Sequence, residues 1–147
     1  MKMKTVCKYF LLLVFFELGN YIAAQNLDVH ILNIRNKNGQ LCLAMFADEA
    51  HFKVEKTCWA MKCNKKDIVN GEFHIKIPYQ CGEWGFSVLD DENGNGKMEY
   101  NFIGMPREGF GFSDYFLKGL HRPVFNDFSF KIGKNEIKTI IVRMKYL

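Results

Sequence analysis

Asp91, Asn93, Asn95, Gly96 and Glu99 set oxygen-bearing side chains at alternate positions around a glycine. That spacing suits a chain curling about a hard cation. Asp91, Asn93 and Asn95 aim oxygens at one centre, and Gly96 permits the sharp turn. Lys97 offers its carbonyl, and Glu99 stands where a fifth ligand or its water belongs. The pattern is the first part of a calcium loop, and Ca²⁺ is the expected ion. Its twelfth position, normally a bidentate Glu, is Phe102. A complete hand is therefore excluded, and an acid must come from elsewhere. Glu108 is the best candidate, because its glycine-hinged segment follows at once. Asp90 serves in place of Asp91 if the register shifts. The same residues also make a tight turn with no metal, since Asn and Gly tolerate positive φ. Both readings stay open on sequence alone.

Catalytic chemistry finds less support. His30, His51, His74 and His121 are the histidines. No HExxH pairing, Gly-x-Ser-x-Gly elbow or phosphate-cradling loop accompanies them. Glu99 and Glu108 would serve as a hydrolytic carboxylate pair only at a separation the sequence does not fix. The expectation is a non-catalytic structural or binding protein, with a hydrolase the weaker alternative. Trp59, Tyr100, Phe110 and Tyr115 are the aromatics that would stack on a glycan or anchor a partner protein; Trp84 alternates with Phe86 and Val88 and belongs to a core.

These residues need strands to hold them. Val29, Ile31 and Ile34 punctuate a first strand, Asn38-Gly39 supplies a turn, and Gln40–Ala47 returns, so a hairpin is expected. The region 48–70 reads as a turn of helix or an irregular crossover. Phe73, Ile75 and Ile77 alternate with Glu72, His74 and Lys76, the pattern of a half-buried strand. Trp84, Phe86 and Val88 line the next strand, which runs into Asp90 and Asp91. Residues 101–122 carry Gly104, Gly109, Gly111 and Gly119 among five aromatic rings, and a compact Ω-type excursion folded onto the body is expected. Phe128, Phe130 and Ile132, a turn at Gly133–Asn135, and Ile140, Val142, Met144 and Tyr146 form a last hairpin. No amphipathic helix of three turns appears. Six or seven short strands imply an all-β antiparallel β-sandwich with a long Gly-rich aromatic loop.

The first residues read as an export signal. Lys2, Lys4 and Lys8 precede the apolar run Phe10–Phe16, and small residues close at Ala23-Ala24. Residues 1–24 are expected to be removed, leaving 25–147 as a single β-sandwich domain, periplasmic or secreted. Removing three lysines and Glu17 takes the formal net charge from +4 to +2. That balance argues against nucleic acid. No second apolar run is long enough to span a membrane. A monomer acting on an unknown protein or glycan is expected. Cys42, Cys58, Cys63 and Cys81 allow three disulfide connectivities. Cys58–Cys63 is the cheapest bridge to close, leaving Cys42–Cys81; a zinc knuckle does not fit the spacing.

The chain resembles a family of small exported bacterial proteins, the domain of unknown function 2141. Three pieces carry the resemblance: the acidic turn Asp91–Glu99; the run Gly104, Pro106, Glu108, Gly109, Phe110, Gly111 and Ser113; and Pro123, Phe125, Phe128 and Phe130. The resemblance implies a secreted sandwich of the transthyretin or carboxypeptidase-regulatory type, and no activity. The four cysteines after residue 24, and Asp90 where members often place His, depart from the pattern.

Overall fold

The computed structural model describes residues 26–147; the expected signal segment and its cleavage point lie outside the described residues. The strands are β1 (Asn26–Leu32), β2 (Gln40–Phe46), β3 (Trp59–Asn64), β4 (Phe73–Pro78), β5 (Gly82–Asp91), β6 (Gly109–Phe112), β7 (Ser129–Ile132) and β8 (Ile137–Arg143). Two short helices, α1 (Glu49–Lys53) and α2 (Phe125–Phe128), and a 3₁₀ turn at Lys65–Asp67 complete the order. One sheet runs β4-β1-β8; the other runs β3-β2-β5-β6, with β7 pairing the first half of β5. An all-β sandwich is therefore what the alternation builds. Leu27, Val29 and Ile31 from β1 meet Leu41, Leu43 and Met45 from β2 in the shared core. Among the described residues no helix is long and apolar enough to cross a membrane.

Several expectations change. Neither expected hairpin forms. Both edges of β1 are taken, by β4 antiparallel and by β8 parallel, so β2 crosses to the other sheet. Likewise β7 joins β5 while β8 joins β1. The parallel β1–β8 pair also means the sandwich is not wholly antiparallel, and the described residues hold eight strands rather than six or seven. The region of Cys58–Cys63, read as irregular, contains edge strand β3. The expected Ω-type excursion contains β6, which pairs with β5 in the sheet. Its tip does not fold back: Phe102 is 99% exposed. The Asn101 side chain instead accepts the N–H groups of Ile103 and Met105, closing a turn that projects into solvent.

Two inward glycines let the sheets approach. A Cβ at Gly109 would lie 2.2 Å from the Tyr146 ring, and one at Gly111 would lie 2.6 Å from Val142. Tyr146 then reaches the end of β5, where its hydroxyl donates to Asp90 at 2.6 Å. Asp90 is fully buried and pairs with the equally buried Lys65 at 2.5 Å. Lys65 also donates to Asn36, the Asn36 amide donates to Glu92, and the Arg35 guanidinium grips Glu92 at 2.6 and 2.7 Å. The Arg35 N–H closes the circuit on the Tyr146 hydroxyl. This ring ties the last turn of β5 to both sheets. A buried charge of either sign is tolerable here only because its partner is present.

Lys65→Met leaves Asp90 as an uncompensated buried anion and is expected to cost about 3–5 kcal/mol in urea unfolding. Adding Asp90→Leu is expected to recover part of that loss; a single-variant loss no larger than a surface substitution would contradict the role of the pair.

Candidate functional site

The pleat of β5 divides its residues between two faces. Phe86, Val88 and Asp90 look inward, while Ser87, Leu89 and Asp91 look away from the core. One half of that outer face is covered. There α1 and α2 deliver Phe52, Phe125 and Phe128 against Phe46 of β2, with Phe112 and Tyr115 packed beside them. Gly85 makes room, because a Cβ there would sit 2.4 Å from the Phe128 ring. Asp48 caps α1 by accepting the His51 N–H at 2.8 Å.

The other half is an open groove of about 990 Å³. Its floor carries outward side chains of three neighbouring strands, most of them small: Cys42 and Ala44 on β2, Ala60 on β3, and Ser87 beside the larger Leu89 on β5. Phe110 and Phe112 of β6 form one wall. Met98, Tyr100 and Pro106 overhang from the loop after β5, and Leu117, Leu120 and His121 close the far side. Lys62 and Lys97 stand at the loop end, with no carboxylate in salt-bridge range among the described residues. Arg122 faces Glu55 at 3.5 Å. A smaller recess of about 310 Å³ lies at the Asp67–His74 turn.

Most of the oxygens expected to gather around a cation are engaged within the turn itself. Asp91 is buried with no exposed surface. One of its oxygens accepts the Gly94 and Asn95 N–H groups and the other accepts Gly96 N–H and the Gln40 amide, at 2.6–3.0 Å. Burial raises its pKa, but those donors outweigh burial and hold it below the ordinary carboxylate value. Asn93 and Asn95 turn their side-chain oxygens onto backbone N–H groups of the same turn, of Asn95 and Lys97 respectively. The Asn95 amide donates to Glu99. Asp90 faces the other side of the sheet and is consumed by Lys65, so a shifted register with Asp90 as ligand is ruled out. Among the described residues no three His, Cys, Asp or Glu side chains converge tightly enough to hold a metal.

Glu108 is the exception to this satisfied arrangement. The β5–β6 register pairs Asp90 with Gly109, so its next step sets Glu108 opposite Asp91 on the outer face. Glu108 is only 5% exposed, and neither carboxylate oxygen has a hydrogen-bond partner. Burial first, then the charges of Asp91 and Glu99, push its pKa above the ordinary value; backbone N–H groups of Glu99 and Glu92 oppose that shift from outside hydrogen-bond geometry.

Neither expected disulfide is compatible with these positions, and all four thiols are free. Cys58, whose N–H bonds to Met45, and Cys63 lie on one extended run. At about 3.3 Å per residue they stand roughly 16 Å apart, against a bridging limit of about 7 Å between Cα atoms. Cys42 pairs across from Leu89, and Cys81 precedes β5. That places them roughly 26 Å apart along the strand. Burial, and then Asp91, raise the Cys42 thiol to about 11.

Of the expected binding aromatics, Tyr100 and Phe110 line the groove. Trp59 faces inward and packs on the main core, and Tyr115 packs into the helix-covered aromatic cluster. The sequence did not reveal that the Lys62 and Lys97 ammonium groups and the small floor residues share a groove. The alternation of Ala60 and Lys62 with Trp59, Met61 and Cys63 is the signal that would have found β3 and its outward face.

Residues 29–140 match the family described as an uncharacterized protein conserved in bacteria (DUF2141), and the chain belongs to that family. No curated protein and no solved structure matches the chain.

Glu108→Gln removes one of two opposed buried anions. At neutral pH, in a chelating buffer, the variant is expected to gain about 1 kcal/mol, roughly 3 °C in melting temperature. A carboxyl whose folded pKa is raised stabilises most below its unfolded pKa and loses that contribution as pH rises through the folded value. The gap between variant and parent is therefore expected to close as pH falls through the raised Glu108 pKa. A variant less stable than the parent at neutral pH would contradict the unpartnered state.

Proposed function

We propose that this member of the DUF2141 family is an exported, non-catalytic binding module that holds an apolar, acid-flanked segment of a partner protein in the outer groove. The supporting observation is the groove itself: a floor of mostly small side chains between aromatic and aliphatic walls, with two unpaired ammonium groups at one end. Concave, mostly apolar surfaces with a few polar groups are the usual form of a binding site. The floor accepts apolar side chains, and Lys62 and Lys97 attract carboxylates.

A glycan fits the lining less well. Tyr100, 57% exposed, offers a stacking platform. The described lining, however, contains no Asp, Asn or Gln, the side chains suited to bonding a dense array of hydroxyl groups. Export rests on the signal pattern of Lys2, Lys4, Lys8 and Phe10–Phe16 followed by Ala23-Ala24. The non-catalytic reading rests on the groove's chemistry. His121 is the one histidine in the described lining, and its neighbours there are Leu120 and Arg122.

Selection of random phage-displayed peptides is expected to enrich aromatic or aliphatic residues beside Asp or Glu. Ala60→Trp, which fills the floor from an edge strand, is expected to weaken the selected peptides about tenfold with the melting temperature preserved. Lys62→Ala with Lys97→Ala is expected to weaken them about threefold, with a smaller salt dependence. Peptides without acidic bias, or peptides that bind the filled variant equally well, would contradict this function.

A further inference from the structure

Asp90 and Asp91 are treated differently by the fold. On the inner face, Asp90 has a buried ammonium, Lys65, against it. On the outer face, Asp91 has only neutral donors, and the residue set opposite it is another acid. Like charges directly opposed across neighbouring strands are destabilising. Glu108 makes this worse, since it is 5% exposed and both its oxygens lack a hydrogen-bond partner. A buried carboxylate left unpaired is costly, so the pair is built for a positive charge that the chain itself does not supply. The Lys62 side chain runs along Gly96, where its Nζ lies 2.8 Å from the position a Cβ would take. It makes no salt bridge to either acid among the described residues.

Glu108 points toward the turn rather than away from it. The groups that act on its carboxyl are the Asp91 and Glu99 charges and the Glu92 and Glu99 backbone N–H groups. Glu99 is half-buried and is held by the Asn95 amide. The charges of Asp91, at one end of the loop 92–107, and of Glu99, in its middle, thus both reach Glu108 at the other end, although the three carboxylates do not meet as a ligand set among the described residues.

We propose that Asp91, Glu99 and Glu108 bind one Ca²⁺ ion, which draws Glu99 and Glu108 onto Asp91 and clamps the loop that carries Met98, Tyr100 and Pro106 over the groove. An all-oxygen, carboxylate-rich donor set selects a hard cation over zinc or copper. Asymmetric carboxylates on a loop suit calcium's irregular shell better than the strict octahedron of magnesium. An affinity in the range of extracellular modules, about 10⁻⁴–10⁻³ M, is expected. The site is independent of what the groove holds.

Melting temperature of the full chain, purified in chelator and then titrated with calcium chloride, tests the proposal. A rise of about 4–8 °C at 10 mM calcium is expected for the parent. No rise is expected for Glu108→Gln, which keeps its shape but loses the charge. Glu99→Gln is expected to need several-fold more calcium, and it keeps the test open should Glu108→Gln fold poorly. A parent that does not respond overturns the proposal, as does a Glu108→Gln variant that responds equally. An equal response to magnesium overturns the assignment to calcium. Stabilisation by acid alone, with no calcium response, shows that the pair takes a proton and overturns it too.

Discussion

Two successive carboxylates leave β5 on opposite faces, and the structure is organised around how each is accommodated. The pleat allows no other arrangement for adjacent residues of an extended strand. Asp90 goes inward, where solvent is absent and only a buried cation makes it tolerable. Lys65, Tyr146, Asn36, Arg35 and Glu92 close around that requirement in one hydrogen-bonded circuit. Asp91 goes outward and is used as a template. Its oxygens gather the N–H groups of Gly94, Asn95 and Gly96, so the acidic turn wraps around its own first residue. Glu108, brought opposite by the β6 register, is the buried acid left without a hydrogen-bond partner among the described residues.

The groove follows from the same face. Its width is set by what is missing from the sheet surface: Cys42, Ala44, Ala60 and Ser87 occupy outward positions where a sandwich could equally carry long side chains. Phe110 and Phe112 of β6, Tyr100 of one connecting loop, and Leu117 and Leu120 of the other rise at the sides. At the far end the same surface is closed by α1 and α2, whose Phe52 and Phe128 rings meet edge to face at 4.8 Å. Arg122 lies over Phe52 and donates to its carbonyl, fixing the 117–123 segment against the helix-covered half. One loop wall is thus pinned by packing, while the other is carried by the acidic turn. That difference gives the acid pair its importance for the groove.

Much of the fold was legible in the sequence. The alternation of Phe73, Ile75 and Ile77, of Trp84, Phe86 and Val88, and of Ile140, Val142 and Met144 identified strands and their inner faces. Strand partners were not legible. Asn38-Gly39 and Gly133–Asn135 do reverse the chain, but turn chemistry does not say which sheet receives the next strand. β1 was already enclosed by β4 and β8, whose pairing is long-range. β3 was hidden because Cys58 and Cys63 were read as a bridge, although Trp59, Met61 and Cys63 alternate in the ordinary way. The acidic turn was visible, and Glu108 was singled out beside it, but its burial without a partner was not legible. The division of Asp90 from Asp91 followed from the phase of β5. The groove was invisible because its floor is assembled from three strands whose registers a single sequence does not reveal.

The outer acid pair of Asp91 and Glu108 underlies both the acidic turn and the cation site. Carbon-13 NMR titration of the Asp91 and Glu108 carboxyl carbons, in chelator, measures the state of that pair directly. Glu108 is expected to take up its proton at a pH above the ordinary glutamate range, while Asp91 remains ionised to a pH below the ordinary aspartate range. Two ordinary, independent titrations would show that the acids are separated and solvated, contradicting both the buried pair and the cation built upon it.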